Sequence, residues 1–372
     1  MRKMRRKKLL GLVLCFITIG SSRDAHAQTN SHLTEGPQQF VSFGEFKLSN
    51  GNTIHDFRLG YRTLGKLNAS KSNAVLWPTW LGGRSQDLLT FVGPANVVDT
   101  NSYFVILVDS IGNGVSTSPS NSSLQPLMKF PQFTVRDMVE SERRLLTETL
   151  HLSHLHAVMG ISMGGMQIFE WAVAYPDFMD LAVSMSGSPQ STSSDKLLWT
   201  SEIDAIELDP AWNKGKPTGS LTRGIALAEE IDEMNLTSPG YRTNHTNTDE
   251  FESFLAGIRD GAKGDAGSAA DQIRQRQAIL SLNIPAEFHM SLGQAAKQVH
   301  AKLLVVISPQ DHMVNPGPAV EFASTIGAPI VRLDSLCGHQ SYTCVSTGPT
   351  VAQFLANPSS IHDETLTETL NH

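Results

Sequence analysis

Residues 155–176 read LHAVMGISMGGMQIFEWAVAYP and contain the pattern on which the fold prediction rests. An apolar segment leads directly into Gly160-Ile161-Ser162-Met163-Gly164, a G-x-S-x-G sequence, and an apolar helical pattern follows until Tyr175-Pro176. G-x-S-x-G between a strand and a helix is typical of a nucleophile elbow, a tight turn that lifts a serine hydroxyl out of a sheet. Flanking glycines allow neighbouring backbone to come close. We therefore predict Ser162 as a nucleophile and the Met163 amide, at the helix N-terminus, as an oxyanion donor.

Short apolar segments recur on both sides of this turn, with helix-like stretches such as 138–150 and 163–174 between them. Unbroken apolar runs of this length are typical of strands buried on both faces, as in parallel sheets. Their alternation with helices predicts a mostly parallel α/β sheet, with an antiparallel strand pair over about residues 38–65. The apolar runs lie at residues 74–77, 103–108, 155–159, 181–185, 303–307 and 329–333.

The strand pattern stops after Gly187 and resumes at Leu303. The residues between are polar and biased towards helix, which predicts a helical lid inserted over the sheet rather than an independent domain. The predicted organisation is an N-terminal leader, an α/β core in two parts, the lid, and a polar tail that we expect to be disordered. The boundaries are 1–27 for the leader, 28–189 and 301–357 for the core, 190–300 for the lid and 358–372 for the tail.

A serine nucleophile needs a base, and the base needs an acid that orients it. His339 lies in a loop just after the last apolar run, and Asp311 follows the run at 303–307. The order serine, aspartate, histidine along the chain is typical of α/β-hydrolases, and open α/β sheets carry their chemistry at the carboxyl ends of the strands. We predict Asp311 and His339 as the partners of Ser162. The competing acid is Asp334 and the competing base is His312.

The second oxyanion donor is expected in a loop that follows an early strand. Trp77-Pro78-Thr79-Trp80-Leu81-Gly82-Gly83 follows the apolar run at 74–77. We predict the backbone amide of Trp80 or Leu81 as this donor. The alternative is an ordinary Gly-Gly turn beside a core tryptophan.

The N-terminus has the three parts of a secretory signal peptide. Six cations lie within the first eight residues, an apolar run extends from Leu9 to Gly20, and Ala25-His26-Ala27 forms a cleavage pattern. We predict cleavage after Ala27 and a secreted or periplasmic protein; the alternative is a cytosolic protein with a basic, apolar start. The apolar run is too short to span a bilayer comfortably, so we expect no stable membrane anchor.

Cleavage after Ala27 would remove seven of the 29 cations and one of the 36 anions, which leaves 22 and 35 and a net charge of −13. A protein with this net negative charge is repelled by the phosphates of nucleic acids, so we expect no nucleic-acid partner. Cys337 and Cys344 would be the remaining cysteines, either as a disulfide or as two buried thiols. Neither a zinc-binding cluster nor a nucleotide-binding loop is evident, so we expect no metal and no cofactor.

The chain from about Phe57 to Leu355 resembles the homoserine O-acetyltransferase-like branch of the α/β-hydrolases. The resemblance is carried by LGYRTLGKLNASKSNAVL (59–76), VGPANVVDTNSYFVILVDSIGNG (92–114), FPQFTVRDMVESERRLL (130–146), MGISMGGMQIFEWAVAYPD (159–177), SPQDHMVNP (308–316) and CGHQ (337–340). It implies an eight-stranded core, a helical lid and a Ser-Asp-His triad at Ser162, Asp311 and His339.

Two departures from that branch concern the substrate. Members that acetylate homoserine carry an aspartate directly after the triad histidine to hold the substrate amine, whereas this chain has Gln340, a neutral amide. They also carry a lid arginine for the substrate carboxylate, where this chain has Asn235-Leu236, with Arg242 and Arg223 as alternatives. The stretch GNGVSTSPSNS (112–122) is closer to a hydrolase branch of the family.

The sequence therefore favours an esterase-type serine hydrolase that acts on a small carboxylic ester or thioester through an acyl-enzyme. The second hypothesis is an O-acyltransferase that takes acyl-CoA as a co-substrate. The third is a binding protein without activity on the same scaffold. A homodimer is left open by the sequence.

Overall fold

The computed structural model describes residues 36–262 and 264–367. The predicted signal peptide and the last five residues of the predicted tail lie outside these ranges. Within them, nine strands form one sheet. They are β1 (Gln39–Lys47), β2 (Thr53–Leu64), β3 (Ala74–Pro78), β4 (Phe104–Val108), β5 (Leu155–Ile161), β6 (Met179–Met185), β7 (Lys302–Ile307), β8 (Ile330–Asp334) and β9 (Glu364–Thr367).

The strand order is β1-β2-β4-β3-β5-β6-β7-β8-β9. β1 pairs with β2 and β2 with β4 in antiparallel fashion, and the remaining pairs are parallel. The predicted mostly parallel sheet with an antiparallel start is confirmed. The pairing of β1 with β2 shifts register twice, between Ser42 and Gly44 and between Gly44 and Phe46.

The described part of the chain has one strand more than the eight expected. β9 lies in the segment predicted to be a disordered tail, and its residues pair with Val331–Asp334 of β8. The expectation of disorder was wrong for Glu364–Thr367. The four residues of β9 include two threonines and a glutamate, and so short a segment shows no pattern that indicates a strand. Its pairing depends on the neighbouring strand β8.

Both faces of the sheet are covered, as the unbroken apolar runs predicted. In β5, Leu155 and Val158 belong to the apolar cluster on one face, whereas Ala157, Met159 and Ile161 belong to the cluster on the other. The helices are α1 (Val135–Arg144), α2 (Met163–Ala174), α3 (Ser193–Glu207), α4 (Thr222–Leu236), α5 (Pro239–His245), α6 (Phe251–Gly261), α7 (Ala266–Leu280), α8 (Ile284–Glu287), α9 (Leu292–Ala296), α10 (Gly317–Thr325) and α11 (Thr347–Ala356). None in the described ranges is long and apolar enough to cross a membrane.

The chain between β6 and β7 contains α3 to α9, and we call residues 190–300 the cap. The helices α3, α4 and α7 share an apolar cluster of their own, which includes Ile206, Trp212 and Ile273. α7 also contacts the core directly, because Arg274 donates hydrogen bonds to the carbonyl oxygens of Phe130 (2.9 Å) and Met128 (2.8 Å). The cap is therefore packed on the core as well as on itself.

The core carboxyl of Glu142 forms no ion pair with another described residue. Glu142 of α1 is 1% exposed and accepts a hydrogen bond from the indole nitrogen of Trp171 in α2 at 2.6 Å. Its second oxygen is buried and has no hydrogen-bond partner among the described residues. Burial raises the pKa of Glu142 to about 8, although the Trp171 bond favours the ionised form.

We expect Glu142→Gln to flatten the dependence of stability on pH. A carboxyl whose pKa is raised on folding contributes its full stability below the unfolded pKa, and that stability is lost as pH rises through the folded pKa. The wild-type protein should lose about 2 kcal/mol more of its unfolding free energy than the variant between pH 6 and pH 9, measured by urea titration. Glu148→Gln, which removes an exposed carboxylate paired with Arg144, is the control and should follow the wild type. If the unfolding free energies of Glu142→Gln and wild type changed equally with pH, the raised pKa of Glu142 would be contradicted.

Candidate active site

Ser162 occupies a strained turn between β5 and α2. Its backbone has φ 55° and ψ −122°, a conformation that a residue with a Cβ rarely adopts. The Ser162 amide donates to the carbonyl oxygen of Met185 at the end of β6 (2.9 Å), and the Ser162 carbonyl accepts from the amide of Met166 in α2 (2.9 Å). The turn is thus held by the neighbouring strand and by the helix that it begins.

The glycines of this turn are required by close backbone contacts. A Cβ on Gly160 would lie 2.3 Å from the carbonyl carbon and oxygen of Gly164. A Cβ on Gly164 would lie 2.8 Å from the carbonyl oxygen of Pro78 at the end of β3. Any side chain at these positions would push α2 away from β5 or from β3.

The structure brings the three residues predicted from the sequence into one hydrogen-bonded series. Nε2 of His339 lies 2.8 Å from Oγ of Ser162, and Nδ1 of His339 lies 2.8 Å from Oδ2 of Asp311. All three side chains are buried, at 7%, 4% and 7% exposure for Ser162, His339 and Asp311. The competing residues Asp334 and His312 are exposed and take no part in this series.

The acid and the base are themselves fixed by hydrogen bonds. Oδ1 of Asp311 accepts from the backbone amides of Met313 and Val314, both at 2.9 Å, which leaves Oδ2 for the imidazole. The carbonyl of His339 accepts from Oγ of Ser186 at 3.1 Å. These contacts orient the ring so that one nitrogen faces Asp311 and the other faces Ser162.

Burial and Asp311 change the pKa of the imidazole in opposite directions. Burial is the largest single effect and disfavours the charged form of His339, but the charge and the hydrogen bond of Asp311 oppose it, and the pKa of His339 is raised above its usual value. Asp232 and Asp195 add to this increase. The ring is therefore a stronger base than a solvent-exposed histidine.

The predicted oxyanion amides lie on two segments that touch. The amides of Met163, Trp80 and Leu81 donate no hydrogen bond to another described residue, so they remain available to a ligand. Gln167 of α2 donates to the carbonyl oxygen of Thr79 at 3.3 Å and so joins the loop after β3 to the helix that begins at Met163.

The loop after β3 is also fixed by residues that the sequence analysis did not identify. Gln275 of α7 accepts from the Gly82 amide (2.8 Å) and donates to the carbonyl of Ile111 (3.0 Å). Asp109, at the end of β4, accepts from both the amide and the hydroxyl of Ser85 (2.8 Å each). A single glutamine on a helix and a single aspartate after a strand form no recognisable motif, so neither role was visible in the sequence.

The remaining predicted residues lie around His339. Gln340 is half-buried, and its side-chain amide makes no hydrogen bond with another described residue. Cys337 and Cys344 are both buried, and Sγ of Cys344 lies 3.2 Å from Oγ of Ser335. Arg242, an alternative for the substrate carboxylate, forms an ion pair with Glu233 inside the cap. Among the described residues, no group of His, Cys, Asp or Glu could hold a metal ion.

Comparisons with known proteins agree on the fold. A family model that describes the alpha/beta hydrolase fold matches residues 82–342. The solved structure of the acetyl esterase MekB superposes with a TM-score of 0.80 and 26% identity, over 88% of this chain and 100% of that one.

Curated relatives of two kinds match the chain. A probable esterase of Corynebacterium glutamicum is 36% identical over 49% of this chain, and the match spans about half (53%) of that relative. An ethyl acetate hydrolase of Pseudomonas veronii is 34% identical over 60% of this chain and 67% of its own length. A homoserine O-acetyltransferase of Methanohalobium evestigatum is 30% identical over 80% of this chain and 68% of its own length.

We expect Gly160→Ala to destabilise the protein by about 3 kcal/mol, because its methyl group meets backbone that cannot move without displacing α2. Urea unfolding followed by far-ultraviolet circular dichroism measures the effect. Gly257→Ala is the matched control: no atom lies within 4 Å of its added Cβ, so within α6 it should be neutral or stabilising. Equal midpoints for Gly160→Ala and wild type would show that the turn is not as tight as described.

Proposed function

The chain belongs to the α/β-hydrolase family, and we propose that it is a serine esterase that hydrolyses short-chain carboxylic esters through an acyl-Ser162 intermediate. The observation that carries this proposal is the hydrogen-bonded series from Ser162 through His339 to Asp311, with 2.8 Å at each step. The name of one relative, a probable esterase, supports ester hydrolysis, and that of another, an ethyl acetate hydrolase, supports an ester with a small acyl group.

In the first step His339 acts as a general base. Its Nε2 takes the proton of the Ser162 hydroxyl while Oγ bonds to the carbonyl carbon of the ester, and the carbonyl oxygen becomes an oxyanion. Asp311 holds the proton on Nδ1 and stabilises the imidazolium that forms. When the bond to the alcohol oxygen breaks, His339 returns the proton to the departing alcohol.

Backbone amides donate hydrogen bonds to the oxyanion. Met163 lies at the N-terminus of α2, where the amides of the first turn have no partner within the helix. The amide of Trp80 or Leu81 supplies the second donor from the loop after β3. Removing one such donor typically costs about 10²–10³-fold in rate, so the contacts that fix this loop matter for catalysis.

Water completes the hydrolase reaction. His339 takes a proton from a water molecule, which attacks the acyl carbon, and the Ser162 hydroxyl is restored when the carboxylic acid leaves. A bound alcohol in place of water would give an ester, and the steps before this point would be the same. The choice therefore depends on whether the site holds an acceptor and excludes water.

The second candidate is an O-acyltransferase that uses an acyl-CoA, and its support is the similarity to homoserine O-acetyltransferases. Gln340 favours hydrolysis, because an uncharged amide next to His339 gives no ion pair to an amino-acid acceptor. The basic and apolar leader at residues 1–27 favours an exported protein, whereas acyl-CoA is a cytoplasmic compound.

Product partition is the experiment that separates these functions. The mature protein is given p-nitrophenyl acetate or acetyl-CoA, each with and without homoserine, and free acetate is quantified against the acetylated alcohol. We expect free acetate as the main product whether or not homoserine is present, and no turnover by Ser162→Ala. Acetyl-homoserine as the main product would establish the transferase, and undiminished turnover by Ser162→Ala would overturn the proposed mechanism.

Asp311→Asn should lower kcat by about 10³–10⁴-fold and move the acidic limb of the pH profile. The base works only when neutral, so wild-type kcat/KM should fall as pH decreases through a pKa above the usual value for histidine. Without the Asp311 charge that pKa falls, and the limb should shift to lower pH. Asp334→Asn is the control, since this exposed aspartate also follows a strand but lies outside the series. A limb that stays in place in Asp311→Asn would contradict the assignment.

A further inference from the structure

Helix α7 of the cap directs three polar side chains towards loops of the core. Asp271, Arg274 and Gln275 are spaced i, i+3 and i+4, which places them on one face of the helix. Asp271 accepts from the amide and the hydroxyl of Ser120, at 2.9 and 2.6 Å. Arg274 donates to two backbone carbonyls of the core. These bonds fix the position of α7, and with it that of Gln275, relative to the core.

Gln275 is closely packed and uses both atoms of its side-chain amide. It is 1% exposed. Its oxygen accepts from the Gly82 amide at 2.8 Å, and its nitrogen donates to the Ile111 carbonyl at 3.0 Å. A Cβ added to Gly112 would lie 3.2 Å from Cγ of Gln275. Since rotation of the amide group would break both hydrogen bonds, the side chain is held in one orientation.

The predicted oxyanion amides lie in the loop after β3, and the core holds the first peptide group of this loop. The carbonyl of Thr79 accepts from Oγ of Ser110 (3.2 Å) and from Nε2 of Gln167 (3.3 Å). This carbonyl and the Trp80 amide belong to one planar peptide group. The core therefore sets the direction in which the Trp80 amide points.

The tip of the same loop is held by the cap. The Gly82 amide, which shares a planar peptide group with the Leu81 carbonyl, donates to Gln275. Gly82 is exposed, and a Cβ added to it would meet no atom within 4 Å, so it has open space on that side. The core holds the loop again at Gly83, whose carbonyl accepts from Asn113 at 2.9 Å. Among the described residues, it is therefore Gln275 that holds the peptide group after Leu81 by a hydrogen bond.

We propose that Gln275 is a positioning residue for the oxyanion amides, so that a helix of the cap takes part in stabilising the transition state. The proposal rests on the proposed function, because these amides act only when an ester carbonyl becomes an oxyanion at Ser162. When the bond to Gln275 is lost, the Gly82 amide turns to water and the peptide group after Leu81 rotates more freely. The amides of Trp80 and Leu81 are then aligned with the oxyanion for less of the time.

An ester and its thiono analogue test the proposal. p-Nitrophenyl acetate and p-nitrophenyl thionoacetate carry C=O and C=S at the attacked carbon, and sulfur is the weaker hydrogen-bond acceptor. The readout is the ratio of their kcat/KM values, oxygen over sulfur, because a general loss of activity in a variant cancels in it. We expect Gln275→Leu to lower this ratio about tenfold, less than the loss from a missing donor, because the amides are misaligned rather than removed. A ratio equal to that of the wild type would overturn the proposal.

Gln277→Leu is the matched control. Gln277 lies about 200° around α7 from Gln275, and its oxygen accepts from Arg274 of the same helix at 2.7 Å rather than from a core loop. The ratio for this variant should equal that of the wild type. An equal fall in both variants would overturn the proposal, because loss of either glutamine from α7 would then have the same effect. Thermal unfolding verifies that both variants remain folded.

Gln275→Glu separates the two hydrogen bonds of Gln275 and replaces Gln275→Leu in the test if that variant does not fold. A carboxylate still accepts from the Gly82 amide but no longer donates to the Ile111 carbonyl. We expect the ratio to stay within about twofold of the wild-type value, because the bond to the loop is kept. A fall of about tenfold in Gln275→Glu would overturn the proposal, since the bond to Gly82 would then not decide the rate.

Hydrogen exchange tests the contact between cap and loop without turnover. The Gly82 amide, followed by mass spectrometry of the peptides that contain it, should exchange faster in Gln275→Leu than in the wild type or in Gln277→Leu. Unchanged exchange would overturn the proposal. Faster exchange in the variant, together with a wild type that hydrolyses neither ester, would overturn the proposed function and leave the contact between Gln275 and the loop in place.

Discussion

The close contact between the backbone of Gly160 in β5 and that of Gly164 in α2 is the constraint on which the site depends. At the distances found there, a Cβ has no room, and the chain has to turn within one residue, Ser162. Gly164 also lies against the carbonyl of Pro78 at the end of β3, and Gln167 donates to the carbonyl of Thr79, so α2 contacts the loop that contains Trp80. Asp311 and His339 lie at the ends of β7 and β8 and complete the arrangement from the other side of β6.

The sequence predicted these parts because each leaves a local pattern. Buried parallel strands are continuous apolar runs, the turn at Ser162 needs glycines, and Asp311 and His339 follow strands directly. Other features arise only from packing between distant segments. Gln275, 193 positions after Gly82, fixes the loop after β3. β9 exists because β8 offers a partner, and its four residues alone indicate nothing.

The cap covers the core and also contains a buried ion pair, that of Glu202 and Arg276. An ion pair as buried as that of Glu202 and Arg276 contributes little net stability, because desolvating both groups offsets their attraction. A pair of apolar residues would fill the same volume at lower cost. The charges of this pair also act on Asp232 of α4, whose pKa is raised to about 7, chiefly by burial, and an apolar pair would have no such effect.

The two edge strands of the sheet, β1 and β9, affect whether copies of the protein aggregate in concentrated solution. β1 is interrupted by two register shifts, and β9 is four residues long with mostly exposed side chains. Neither offers the long regular row of free amides and carbonyls along which a second chain extends a sheet. The parallel core strands, which are apolar enough to aggregate, all lie between them. Removal of β9 would uncover β8, a buried apolar strand, so a chain shortened before Glu364 would be more prone to precipitation than to loss of its active site.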